Sequence, residues 1–348
     1  YEVFSKMVTS IKEETFSPCI AYTGTRPVEY AAVPLTMYST GADHLESYTS
    51  MSALLEHFYA EKNTLTRIRQ KSSDLRRIVQ TALERDIKKY DLQLAQMKDT
   101  EKREKYRIYG ELLNTYGYSA KPGDKSLTAV NYYTNEPVTI PLDPTLSATE
   151  NAKKYFDKYG KLKRTYEALS ELTTQVKEEI DHLETISTAL DIALKEEDLV
   201  EIKEELTQSG YIRRKGGTKK AKITSKPFHY LSSDGFHIYV GKNNFQNDEL
   251  TFKFANGNDW WFHAKGIPGS HVVVKTEGKE LPDRTFEEAG RLAAYYSKGR
   301  EQEKVEIDYV QKKQVKKPAG AKPGFVVYYT NYSLMIDSDI SGIEKISD

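Results

Sequence analysis

The chain has a single cysteine, Cys19, in 348 residues, which excludes an internal disulfide and fits a reducing compartment. No run approaches the roughly 18 apolar residues that a membrane span requires. A signal peptide is not visible either. The chain opens on Tyr1 rather than Met, however, so that absence carries no argument about export. Also missing are a G-x-S-x-G elbow, a Walker loop, a Rossmann fingerprint, an H-E-x-x-H helix and any Cys/His ligand spacing. The expectation is therefore no catalytic residues, no metal and no cofactor. Net charge is absent too, with 51 basic against 51 acidic side chains.

That zero hides an asymmetry. From Tyr211 onward there are 23 Lys and Arg against 17 Asp and Glu, and before it 28 against 34. Two acid-free segments hold the excess, Arg213 to Lys226 with seven positive charges and Tyr309 to Phe325 with five. Clusters of this kind suit a polyanion, because each phosphate neutralised releases counterions.

An apolar share of 38% and a charged share of 29% allow two or three domains. Residues 1–50 read as a fragment. Val3, Phe4, Met7, Val8 and Ile11 lie on one helical face, followed by short strand-like pieces around Gly24, Arg26 and Pro27. Between Met51 and Tyr118 glycine and proline nearly vanish. Apolar residues recur there as Leu65, Ile68, Leu75, Val79 and Ala82. After a shift they continue as Leu83, Ile87, Tyr90, Leu94 and Met97, the three-four spacing of a coiled-coil seam with a stutter. The signal returns from Ser147 to Gln208 through Tyr155, Tyr159, Leu162, Tyr166, Leu169, Val176, Ile180, Leu183, Leu190 and Leu194. Ser147 and Glu150 have capping-box spacing and Gly210 marks the end. Residues 51–210 should therefore fold back as an antiparallel two-helix coiled coil. The insert at about 119–146 should form a small β module, with Tyr132-Tyr133 and Val138-Ile140 flanking a hairpin turn.

Residues 211–227 read as a mobile basic linker, and 228–348 as an α+β domain. Strands are expected at Phe228–Leu231, Phe236–Val240, Trp260–Ala264, Val272–Val274, Val305–Val310, Phe325–Tyr329 and Leu334–Ile336. Asn247 should cap a short helix, and Asp283–Arg300 should be an amphipathic one. Together these would make an α+β sandwich.

Within this domain Asp259, His263 and His271 form the one constellation suited to acid-base or metal chemistry, and without a supporting motif they read as structural or hydrogen-bonding groups. The run Lys242, Asn243, Asn244, Gln246, Asn247 can donate to and accept from bases, sugars or phosphates, beside a tryptophan that offers a stacking surface. Lys312, Lys313, Lys316 and Lys317 would meet phosphates, with protective lysines on an edge strand as the competing reading.

Five blocks carry a resemblance. They are GKNN (Gly241–Asn244), QND (Gln246–Asp248), Asp259-x-Trp261-x-His263, PGSHVV (Pro268–Val273) and VKKPAGAKPGFVVY (Val315–Tyr328). In that order they resemble the C-terminal NFACT-R domain of the NFACT family, which holds ribosome quality-control factors, the bacterial ones also called fibronectin-binding proteins. The resemblance makes 1–50 the tail of the NFACT-N domain, 51–210 the coiled coil with its middle module, and 228–348 the NFACT-R domain. It implies binding to an obstructed large ribosomal subunit through rRNA and tRNA, with a stalk-base protein as a partner of the middle module. It further implies recruitment of alanyl-tRNA for template-free alanine tailing, in the cytoplasm and without bond chemistry of the chain's own. A fibronectin-binding surface adhesin is the alternative. On this reading the RNA-contact residues are Arg213, Arg214, Lys215, Lys219, Lys220, Lys242, Asn243, Asn244, Asn247, Trp260, His263, His271, Lys312, Lys313, Lys316 and Lys317. Trp261 is expected to be buried and Trp260 nearer solvent. The resemblance implies that the Asp-Arg pair used by the family for tRNA lies in an N-terminal part outside this sequence, and Asp283-Arg284 does not inherit its role.

Overall fold

A computed structural model describes residues 2–13, 15–23, 26–35, 38, 43–214 and 225–347. Lys215, Lys219 and Lys220 of the basic linker lie outside the described residues, as does the side chain of Leu65. The chain divides into two compact units, Ala82–Asp181 and the combination of Tyr1–Thr81 with His182–Asp348.

The larger unit begins with helix α1 (Glu2–Lys12) and a three-stranded antiparallel sheet of β1 (Cys19–Thr23), β2 (Arg26–Ala31) and β3 (Asp43–Ser47) in the order β2-β1-β3. Ile20 and Tyr22 pack on Leu54 and Phe58 of helix α2 (Met51–Asp99), which gives this sheet a core it could not build alone. Farther along α2 runs the end of helix α4 (Ala148–Ile192), to which Arg76 bonds through the Leu190 carbonyl at 2.6 Å and the Asp191 carboxylate at 2.5 Å.

Along α2 from Ile68 onward the buried positions are Ile68, Ser72, Leu75, Val79, Ala82, Asp86, Gln93 and, just past its end, Thr100, with the predicted Tyr90 and Met97 half-buried between the last three, so polar residues occupy seam positions. Ile87 and Leu94, assigned to the seam by their hydrophobicity, are 44% and 41% exposed. A polar side chain at a seam position lowers stability and fixes register. Nor does the helix reach Tyr118 unbroken. Thr100 turns its hydroxyl back onto the Met97 carbonyl at 2.6 Å, and a 3-10 turn (Thr100–Lys102) precedes helix α3 (Arg103–Tyr116).

In the smaller unit α2 and α3 run antiparallel to α4, with Met97 against Thr173 and Arg103 over the ring of Tyr166. The expected hairpin is present as β4 (Ser126–Asn131) and β5 (Glu136–Pro141), and its turn places Asn135 at a φ of 56°. Leu127 and Ile140 bury against Tyr109, Leu112, Leu113 and Tyr155. Ser147 and Glu150 close the capping box in both directions, at 2.8 and 3.2 Å.

Where the sequence predicts one helix to Gln208, α4 stops at Ile192 and helix α5 (Glu196–Gln208) starts afresh. The break is stabilised by Asp198, whose Oδ2 accepts from the amides of Leu194 and Lys195 at 3.0 Å each. After the linker comes an antiparallel seven-stranded sheet in the order β11-β10-β8-β9-β7-β6-β12. Its strands are β6 (Phe228–Leu231), β7 (His237–Val240), β8 (Trp260–Ala264), β9 (Val272–Val274), β10 (Val305–Gln311), β11 (Tyr332–Ile336) and β12 (Glu344–Ser347).

Helix α6 (Asn244–Glu249) with its π-turn (Leu250–Phe254) and helix α7 (Asp283–Tyr295) complete the domain. One face of the sheet buries Phe262, Val272, Ile238 and Ile307 with Leu292 and Ala293 of α7. The other face buries Trp261, Val273 and Val310 with Leu250 and Val315. The arrangement is a single covered sheet rather than a sandwich, because Phe325–Tyr329 is not a strand and pairs by backbone with the outgoing limb of its own segment, at the isolated Lys316–Val327 bridge. It forms instead the returning limb of a strap, residues 312–329, that closes over the second face.

Candidate nucleic-acid interface

The family-like blocks fall together on one side of the sheet. Asn243, not Asn247, caps α6, with its Oδ1 accepting from the Gln246 amide at 3.0 Å. Its Nδ2 donates to Glu201 on α5 at 2.6 Å, and Gln246 Nε2 donates to the same carboxylate oxygen at 2.8 Å. Asn244 donates to Glu205 and to Thr185, both at 2.7 Å, while His182 Nε2 sits 3.0 Å from Glu205. Lys242 reaches Asp198 at 3.3 Å, and its ammonium lies 4.4 Å from the centre of the Phe228 ring. Lys242, Asn243, Asn244, Gln246 and Asn247 are all buried, as are Asp198, Glu201 and Glu205.

This placement corrects the expectation of an exposed polar edge. In this structure Lys242, Asn243, Asn244 and Gln246 direct side-chain donors at three carboxylates of α5. Buried polar groups persist only when paired, and buried charges only when paired and hydrogen-bonded. A carboxylate among these amides is well served. Burial nevertheless raises the Glu201 pKa above its ordinary value, opposed by the amide hydrogen bonds from Asn243 and Gln246.

Asn247 holds the PGSH block, since its Oδ1 accepts from the His271 amide at 3.0 Å. Gly241 explains its own identity here, because a Cβ at that position would stand 2.2 Å from Asn247 Oδ1. Gly324 in the strap, at a φ of +79°, would place a Cβ 2.3 Å from Asn244 Oδ1, and its amide donates to Asp248 at 3.1 Å. Lys317 also pairs with Asp248. The strap is thus pinned to α6 at two points.

The histidines are internal as well. His271 is buried, with Nδ1 at 2.7 Å from Thr251 Oγ1, and His263 is half-buried with its ring stacked on Trp261. Burial pushes His263 down to about 4, and burial followed by repulsion from His263 holds His271 well below the ordinary histidine range. Asp259 is committed to Lys275, to the amides of Thr276 and Asn256, and to the Thr276 hydroxyl. Burial works against its ionisation, yet these donors keep its pKa below the usual carboxylate value. Among the described residues no group of three His, Cys, Asp or Glu side chains is placed to hold a metal ion.

A pH dependence follows. Both histidines bind protons more weakly folded than unfolded, so their stabilisation is complete above about pH 6.5 and is lost as the pH falls, for His263 toward about 4. Glu201 acts in the opposite sense. Thermal melts at pH 7 and pH 5 should show lower stability at pH 5, and His263→Gln should narrow the difference. An unchanged difference would contradict the burial assignment.

What remains on the surface is basic and aromatic. Lys313 and Lys316 are exposed on the strap, and Lys312 is half-buried with its ammonium 5.9 Å from the Phe252 ring centre. Arg213 is exposed, while Arg214 is held by Glu204. Trp261 is fully buried, and Trp260 is partly exposed, as its alternation predicts. Of the sequence-predicted contact residues described, the outward-facing ones are therefore Arg213, Arg214, Trp260 and the strap lysines. Tyr332 and Tyr329 were not singled out in the sequence, although they are 61% and 83% exposed.

These features place the domain among α+β modules that present lysines from a pinned strap. Residues 1–225 match the NFACT N-terminal and middle domains, and residues 226–329 match the NFACT protein RNA binding domain. The chain belongs to the NFACT family. It is 41% identical over 308 residues to the Rqc2 homolog RqcH of Streptococcus suis, covering 88% of this chain and 55% of that protein. To the Rqc2 homolog RqcH of Bacillus subtilis it is 36% identical over 349 residues, covering 98% and 59%. The chain thus spans a little over half the length of these curated relatives. A solved structure, the C-terminal part of the fibronectin/fibrinogen-binding protein from Streptococcus suis, superposes with a TM-score of 0.64 at 37% identity, covering 80% of this chain and 99% of that one. No helix of the described residues is long and apolar enough to cross a membrane.

Proposed function

We propose that this chain is the RNA-holding part of a ribosome quality-control factor, which engages obstructed large ribosomal subunits that carry peptidyl-tRNA. The observation that carries the reading is the match of residues 226–329 to an RNA-binding domain, within a chain 36% identical to an RqcH protein over nearly its whole length. The exposed lysines of the strap support it, since phosphate contacts supply most of the sequence-independent affinity for RNA. The coiled coil with its β module would reach a protein at the base of the ribosomal stalk. The complete factor would bring alanyl-tRNA to the subunit for template-free alanine tailing. It would act by effective concentration and leave peptidyl transfer to the ribosome, and its place of action would be the cytoplasm.

A second reading is favoured by one observation, the name of the Streptococcus suis protein whose C-terminal part this chain resembles. Immobilised fibronectin and purified 23S rRNA separate the two. Saturable binding to the rRNA that weakens with salt, without capture by fibronectin, is expected. Capture by fibronectin with no rRNA binding would reverse the assignment.

A further inference from the structure

Three strands bring an aromatic row to one end of the α7-covered face. Trp260 of β8, Tyr309 of β10 and Tyr332 of the edge strand β11 stand with ring centres 5.8 Å (Trp260–Tyr309), 5.5 Å (Tyr309–Tyr332) and 6.4 Å (Trp260–Tyr332) apart. Tyr309 and Tyr332 are direct cross-strand partners and stack at 26°. Phe286 of α7 backs the row, 4.9 Å from Trp260 and 5.4 Å from Tyr309, so the rings are held rather than free.

A row of this kind ordinarily ends inside the core, and Phe262 and Phe286 do close it on the inner side. The outer member does not fit that use, for Tyr332 is 61% exposed on the sheet edge. The basic turn adjoins the same end. Gln311 pairs with Trp260, the next amide, Lys312, bonds to the Asp259 carbonyl at 2.8 Å, and Lys313 bonds to Gly257 at 3.0 Å. Asp283 is the acid whose charge reaches Tyr309.

The outward face of Tyr332, held on this cluster at the same end of the sheet as the exposed Lys313, fits one chemistry: a nucleobase outside a duplex stacked on that ring, with a flanking phosphate on the lysine. A duplex keeps its bases within its own stack and offers only phosphate and sugar. We propose that Tyr332, backed by Tyr309 and Trp260, forms a stacking shelf for an unpaired RNA base, with Lys313 taking an adjacent phosphate. This rests on the RNA-binding reading above and specifies the form of RNA bound.

The test uses the chain as it stands with three probes of equal length: oligo(A) RNA, the same strand with central abasic sites, and an RNA duplex. Oligo(A) should quench Trp260 fluorescence. Tyr332→Ala should weaken oligo(A) binding about 5- to 100-fold, the range for one stacked base, with the salt slope unchanged. It should leave the abasic strand and the duplex alone, and Tyr332→Phe should bind like the unaltered chain. Equal weakening of all three probes, or none, would overturn the shelf while leaving RNA binding in place. If the unaltered chain binds no probe, the RNA reading itself fails. If Tyr332→Ala abolishes capture of a protein partner and spares oligo(A), the row is a protein contact.

Discussion

Asn243→Ala should lower the melting temperature of the larger unit by about 5–15 °C. Two losses combine. The alanine removes the side-chain cap of α6, worth about 1 kcal/mol. It also takes away one of the two amide donors to the buried Glu201 carboxylate, which costs about 1–3 kcal/mol. For a unit of this size each kcal/mol moves the midpoint by roughly 2–4 °C. Asn243→Ser keeps an oxygen for the cap but cannot reach Glu201, so it should recover only the smaller part. Calorimetry decides the matter. A midpoint unchanged by Asn243→Ala, together with weakened RNA binding, would return this residue to the surface role that its sequence context suggests.

The second large effect concerns salt. Lys312, Lys313 and Lys316 replaced together by Glu should flatten the dependence of log affinity for RNA on log salt by about two to three units. Each phosphate contact contributes about 0.7 to 0.9. The loss should be alike for every RNA sequence, because the contact is to backbone. Lys317 is left out of the set, since its ammonium is held by Asp248 and its reversal would disturb the pin between strap and α6. Titrations at several salt concentrations read the slope directly. A slope that survives the triple reversal would move the phosphate contacts elsewhere, the first place to look being Arg213 and the basic linker.

Much of the fold was legible because its signals are local. The Ser147 capping box, the three-four seam of α4, the hairpin between Tyr132 and Val138 and the alternation that buries Trp261 each depend on residues within a few positions of one another. What was not legible depends on distant partners. The seam of α2 passes through Asp86 and Gln93, whereas hydrophobicity alone points to Ile87 and Leu94. The break at Ala193 carries no Gly or Pro and is stabilised by Asp198, three to four residues ahead of the amides it caps.

The candidate site shows the same division more sharply. A run of Lys, Asn and Gln looks like a recognition edge until α5 is folded onto it. Glu201 is some forty residues from Asn243, and no pattern within the run announces that its partners are acids of the same chain. The aromatic shelf is a matter of strand register, since Tyr309 and Tyr332 meet only because β10 and β11 pair antiparallel. The lysines of the strap, by contrast, were visible as charge without acid.

Cosedimentation with large ribosomal subunits tests the account at its centre. Subunits carrying peptidyl-tRNA, unoccupied large subunits and small subunits are each pelleted through sucrose with the chain present, at physiological salt. Recovery with the peptidyl-tRNA-bearing large subunits, reduced by the triple lysine reversal and absent with small subunits, is the predicted result. A chain that stays in the supernatant with all three, or pellets with all three alike, would contradict it.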